Sequence, residues 1–539
     1  MGQLPGEASV SASVYSFADR KYSRNISGEG FASGRAQEVT DQADQSKLSL
    51  NALSRPQSSF RIGFVGLLLA IVVSSLDQNI VATALPRIAS ELGGLSYLSW
   101  IVTAFMLTST ISAPIYGKLS DMYGRRRLFT VSIAIFLISS ILCSIVETLP
   151  QLIASRAIQG FGAGGLVTLS QSTIGDLVGP RQRGRYQGFF SGALAVSTVI
   201  GPLLGGALIS DLSWRWIFLA TTPLGIASLV LMYLGIPSVT KIKSHDIDYL
   251  GVLLLALGTT AAFLFLSAIV ADAASATILT AAFGAVAVIC LGLFPFQELR
   301  AQEPLLNLSL FRDANFTIGV VAAGMMTFAM NGALVFLPLY FQYVQGQTPT
   351  HAGLMLLPQI AGMIVSSIIG GGLSAKSGEF KTFFLVGVGS ELLALTMLAT
   401  FALLDWGQLP FLGALVVLGV GTGLGMPNAT VVVQNAVPQN TLGIATASMS
   451  FLRALGGAVG VALSGFVMHY VFNALANEGS ALQKLNALQH GLNLTQNSLE
   501  RVEAIEPLRV AIASSFALGA AMMLVAFITV SRLTPVRQS

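Results

Sequence analysis

Four ionisable residues stand inside long apolar stretches of this chain: Asp77, Arg156, Glu391 and Arg453. A charge surrounded by hydrocarbon costs several kcal/mol unless it is paired or wet, so residues of this kind are functional candidates by default. Asp77 lies about a turn past the middle of the first apolar run, a setting suited to taking up and releasing a proton or cation. The competing reading is a carboxylate permanently paired to a cation, or one that caps a break in the helix. Arg156 falls at a similar depth in the fourth run. A guanidinium keeps its charge, so its distance from Asp77 would govern whether the carboxyl holds a proton. Its plainer role is an anchor to backbone carbonyls. Glu391 is a second candidate for a protonation or cationic-substrate site, and Arg453 and Asn331 are candidates for lining a cavity. Whether Glu391 and Arg453 pair is left open by the sequence.

Other chemistries are poorly supported. His245, His351, His469 and His490 lack metal-ligand spacing, and Cys143 and Cys290 read as small buried hydrophobes rather than a disulfide framework. Gly160-Phe161-Gly162 and the string Gly421 to Gly425 resemble nucleotide-loop glycines. A dinucleotide fingerprint needs a preceding strand and a βαβ unit, whereas these glycines lie within apolar runs and read as helix-packing positions. With no Walker-type loop, ATP is excluded as the energy source, and the energetic candidate is a proton gradient with no cofactor. Neither an enzyme nor a nucleic-acid binder fits.

The elements that must hold these residues follow from composition. Apolar residues make up 53% of the 539 and charged residues 10%, far below the roughly 25% charge of soluble proteins, which makes the chain an all-α membrane protein. From residue 61 onward, fourteen runs reach the roughly 20 residues that cross a bilayer. They are 62–85, 98–119, 128–147, 151–175, 186–210, 215–236, 249–271, 276–297, 316–341, 352–375, 382–404, 410–433, 443–470 and 509–531. Alternate connections hold fifteen Lys and Arg residues against five on the opposite side, so the positive-inside rule puts both termini in the cytoplasm. Residues 1–60 read as a disordered cytoplasmic tail and 471–508 as a long external loop carrying a short amphipathic helix. Within that loop Asn493 heads a sequon of little weight.

A repeat divides the chain. Gly117-Lys118-Leu119-Ser120-Asp121-Met122-Tyr123-Gly124-Arg125-Arg126-Arg127 follows the second run, and Gly371-Gly372-Leu373-Ser374-Ala375-Lys376-Ser377-Gly378-Glu379-Phe380-Lys381 follows the tenth with Gly, Leu, Ser and Gly at equal offsets. Both segments read as loops ending in basic residues. The expected organisation is a six-helix half (61–236), two extra central helices (237–300), a second six-helix half (301–532) and a cytoplasmic C-terminus (533–539). Such repeats are usual in secondary transporters, with the substrate site between them.

Four ordered segments resemble one family. Gly117 to Arg127 looks like the loop signature of the major facilitator superfamily. Leu76-Asp77-Gln78-Asn79-Ile80-Val81-Ala82-Thr83-Ala84-Leu85-Pro86, Arg156 to Gly165, and Gly201-Pro202-Leu203-Leu204-Gly205-Gly206 resemble the first-, fourth- and fifth-helix motifs of its fourteen-span drug:proton antiporters. The resemblance covers roughly residues 60 to 532. It implies export of small amphipathic molecules across the plasma membrane (the inner membrane of a double-membrane bacterium), with Asp77 and Arg156 as partners in proton transfer. It also implies a gate in which Asp121, beside Arg125, rests on the helix start at Gly443, where the helix dipole favours a negative charge. Gly117 belongs to the same gate, and Gly124 supplies its tight turn. Gly201, Pro202, Gly205 and Gly206 would seal against leak through close packing at a kink. Implied partners are the substrate, protons and the bilayer, with a periplasmic adaptor if the source has two membranes. Two alternatives are a dedicated exporter of a siderophore, lipid or toxin, and a non-transporting receptor on the same fold.

Overall fold

The computed structural model describes residues 57–92, 99–236, 248–271, 278–301, 304–475 and 498–534. The tail up to residue 56, Lys241, Lys243, Lys484, Arg537, the leucine pattern of 482–492 and the sequon at Asn493 lie outside them. Among the described residues, fourteen helices are long and apolar enough to cross a membrane. The chain is a multi-pass membrane protein, and no strand occurs among the described residues.

In chain order the elements are α1 (Gln57–Leu92), α2 (Ser99–Tyr123), α3 (Arg125–Ile145), α4 (Leu149–Leu177), α5 (Arg183–Asp211), α6 (Trp216–Ala220) and α7 (Thr222–Gly235). There follow α8 (Tyr249–Ala271), α9 (Ile278–Arg300), α10 (Ala314–Leu339), α11 (Pro349–Leu354) and α12 (Leu357–Ser377). The last are α13 (Phe380–Leu403), α14 (Gln408–Asn435), α15 (Leu442–Leu475) and α16 (Ser498–Ser531). Local chemistry sets several of these limits. Thr148 and Gln151 form a capping box at the start of α4, with Pro150 in its first turn. Asp313 caps α10 by accepting from Phe316 N at 2.9 Å. Past Pro338, α10 runs into one π-turn over Tyr340–Val344.

Three expectations need correction. The Gly117–Arg127 and Gly371–Lys381 segments are not loops. α2 continues to Tyr123 and α12 to Ser377, and a single left-handed glycine (Gly124, φ 91; Gly378, φ 75) makes each turn. Hydropathy falls in the last helical turn while the hydrogen-bond ladder continues, which is why composition alone misplaces that boundary. The segment 471–508, read from sequence as an external loop, is likewise helical at both ends, to Leu475 in α15 and from Ser498 in α16.

Helix packing repeats along the chain. In α4, Gly160 and Gly164 abut Phe105 and Ser109 of α2, and in α14, Gly419 and Gly423 abut Gln359 and Met363 of α12. Gly162 meets Phe136 N and Ser132 O of α3, as Gly421 meets Glu391 N and Gly387 O of α13. At each site a Cβ would press on backbone, so only glycine allows the approach. The strings that tempted a nucleotide reading are therefore helix seams.

Candidate functional site

The seams around α4 bring four helices to one point. Asp77 of α1 is 1% exposed, and Arg156 and Gln159 of α4 are fully buried. Arg156 Nη1 donates to Asp77 Oδ2 at 2.5 Å and to Gln159 Oε1 at 2.6 Å. Gln159 Nε2 donates to Asp77 Oδ1 at 3.0 Å and to Ser140 Oγ of α3 at 2.7 Å. Arg156 Nε reaches Ile101 O of α2 at 3.5 Å, and the guanidinium lies 4.1 Å over the Phe105 ring. Arg156 and Gln159 are three residues apart and share one helix face, as do Ser140 and Cys143, whose Sγ lies 3.7 Å from Gln159 Oε1. The cluster pairs one negative with one positive charge, and both Asp77 oxygens have partners. Gln159 escaped the sequence reading because an amide inside an apolar run carries no charge signal.

Asp121, at the foot of α2, accepts from Ile444 N at 3.0 Å and pairs with Arg125 at 2.5 Å. Arg125 also pairs with Asp176 of α4 at 2.8 Å and donates to Ser120 Oγ. Gly117 packs on Gly443 and Ala447, while a Cβ at Gly443 would strike Arg125 and Asp121. A carboxylate therefore sits on the N-terminal end of α15, where the dipole favours it. The converse contact joins α5 to the other end of a helix. Arg183 Nη1 donates to Gln434 O at 2.9 Å and Asn435 Oδ1 at 2.7 Å, at the C-terminus of α14. Sequence counted Arg183 only as a topology-setting charge, and nothing in its spacing marks that contact.

Further along α5, the fifth-helix motif divides. Gly201 and Gly205 pack on Asn79 and Thr83 of α1, just beyond Asp77. Pro202 and Gly206 are exposed, and nothing lies near Gly206. Close packing thus applies to two glycines one turn apart on the same helix face rather than to the whole string, and α5 remains one helix through Pro202.

Glu391 is fully buried in α13 with neither carboxyl oxygen hydrogen-bonded. It does not pair with Arg453 of α15, whose Nε is also buried without a partner. Asn331 of α10 is partly buried, with its amide against Gly457. At the end of α1 away from the Asp121 contact, Glu91 accepts from Trp214 Nε1 at 2.8 Å and from Arg215 at 3.3 Å. The indole hydrogen bond, followed by the arginine contacts, holds the Glu91 carboxyl below its ordinary value.

The family model described as Major Facilitator Superfamily matches residues 67–461. An uncharacterized MFS-type transporter of Mycobacterium tuberculosis is 37% identical over 406 residues, covering 75% of this chain and 58% of that protein. The chain thus matches less than two thirds of that relative's length. The multidrug transporter protein MdtP of Bacillus subtilis is 34% identical over 416 residues, covering 77% of this chain and 76% of that one. Among solved structures, the proton:xylose symporter XylE aligns with a TM-score of 0.56 at 15% identity, over 87% of this chain and 96% of its own. That likeness shows the fold.

Proposed function

We propose, on the premise that this chain belongs to the Major Facilitator Superfamily, that it is a secondary active exporter of small amphipathic molecules driven by proton exchange. The observation that carries this reading is the buried Asp77–Arg156 pair. The pair is neutral as it stands. A proton added to Asp77 leaves the Arg156 charge uncompensated between aromatic rings, a costly state that only a rearrangement of the helices or departure of the proton relieves. A protonation event is thereby converted into a change of helix packing, which antiport by alternating access requires.

The two halves, 61–236 and 301–532, rock about a central cavity bordered by Asn331 and Arg453, with 237–300 as an appended hairpin. Protons enter from outside and neutralise Asp77, and substrate binding releases them toward the cytoplasm. Glu391 is a second, separate protonatable group in this scheme. Asp121, Arg125, Gly117, Gly124 and Gly443 close the cytoplasmic gate, and Gly201 and Gly205 hold α5 against the helix that carries Asp77. The basic connections lie in the cytoplasm and the protein resides in the plasma membrane, with no cofactor. The likeness to MdtP, a multidrug transporter, supports drug-like small molecules as substrates.

Dye transport into inside-out vesicles tests the proposal. Wild-type vesicles should accumulate dye when their lumen is acidified and stop when an uncoupler is added. Asp77→Asn should lose that dependence, and unchanged coupling in this variant would contradict the assignment.

A further inference from the structure

The α8–α9 hairpin packs on α2 and α15, the two helices joined by the Asp121 contact, and it anchors there through Leu255, Phe294, Leu306 and Phe451. Its end nearest the gate carries two carboxyls. Asp248 precedes α8, and its Oδ1 accepts from Gly251 N and Gln297 Nε2, both at 2.9 Å. Glu298, in the last turn of α9, accepts from Leu306 N through Oε2 at 3.0 Å. The second oxygen of each, Asp248 Oδ2 and Glu298 Oε1, is buried without a hydrogen-bond partner. Both orphan oxygens border one spot, since a Cβ placed on Gly251 would press on Asp248 Oδ2 and lie 3.1 Å from Glu298 Oε1.

Among the described residues, the charged groups that act on Glu298 are Asp248 from the start of α8 and Lys118 from α2. α15 presents Phe451 to the adjoining cluster. Glu298 is 3% exposed and Lys118 7%. With both carboxyls ionised and one ammonium beside them, a buried negative charge would stay uncompensated, whereas one added proton makes the set neutral.

We infer that Asp248 and Glu298 form a proton-binding site that clasps the start of α8 to the end of α9. One proton, taken from the adjacent water, bonds to Glu298 Oε1 and is donated to Asp248 Oδ2. Its return to water leaves two like charges facing across Gly251 and loosens the start of α8. The site is distinct from Asp77, and its occupancy sets how firmly the two ends of the hairpin are held together.

Amide hydrogen exchange of the purified full-length chain, corrected for intrinsic rates, reads the clasp at residues 249–256. Wild-type protection should fall at least about tenfold between neutral and alkaline pH, the size one close like-charge pair can produce. Glu298→Gln, neutral at every pH and still able to donate to Asp248, should keep its protection throughout, as should Asp248→Asn. Asp77→Asn should retain the wild-type pH response, so the result stands apart from the export proposal. Wild-type protection that ignores pH would overturn the inference, as would protection that instead follows added Na⁺. So would neutral-pH loss of protection in both carboxamide variants.

Discussion

The α3–α4 and α13–α14 seams are built alike and filled oppositely. By the shared glycine register, Arg156 and Gln159 of α4 fall opposite Leu415 and Leu418 of α14, and Ser140 and Cys143 of α3 opposite Leu395 and Leu398 of α13. All four leucines are fully buried. The second half thus has a hydrocarbon core where the first has a hydrogen-bonded ionic cluster. Within that seam, Glu391 stands where the first half packs Phe136. Backbone geometry alone is indifferent to this choice, because the glycines set the approach of the helices and the side chains then decide the chemistry. A duplicated scaffold can in this way keep one half as a rigid hydrophobic body and specialise the other for charge exchange.

The comparison predicts effects of opposite sign. The largest should come from Arg156→Leu, which installs the second half's residue and strips Asp77 of its cation. Removing one partner of a buried pair costs about 3–5 kcal/mol, to be read as a fall in the thermal unfolding midpoint in detergent. A change of under ~1 kcal/mol would show that the cluster does not act as a unit. Smaller and reversed, Glu391→Leu should stabilise by about 1–3 kcal/mol, since it deletes an unpartnered buried polar group without orphaning another. A loss comparable to that of Arg156→Leu would mean that Glu391 is held by something essential.

Legibility in the sequence followed charge and hydropathy. Asp77 and Arg156 stood out because formal charges in apolar runs are conspicuous, and the fourteen spans because a bilayer sets their length. The juxtaposition of Asp121 with the start of α15 was reached through family resemblance, since no local rule joins residues 323 apart. Gln159 was silent for want of charge. Arg183, Asp248 and Glu298 were silent for the opposite reason, since at the ends of spans they look like ordinary boundary charges. The segment beginning at Gly117 read as a loop because polarity marks the membrane surface, not the end of a helix.

The central claim is that Asp77 exchanges a proton against substrate. Proton release from purified protein in weakly buffered detergent solution measures this directly, with a pH indicator and addition of a transported dye to protein equilibrated at mildly acidic pH, where Asp77 is loaded with its proton. The account predicts a burst of protons from wild type, none from Asp77→Asn, and an undiminished burst from Glu391→Gln. An equal burst from Asp77→Asn would contradict it.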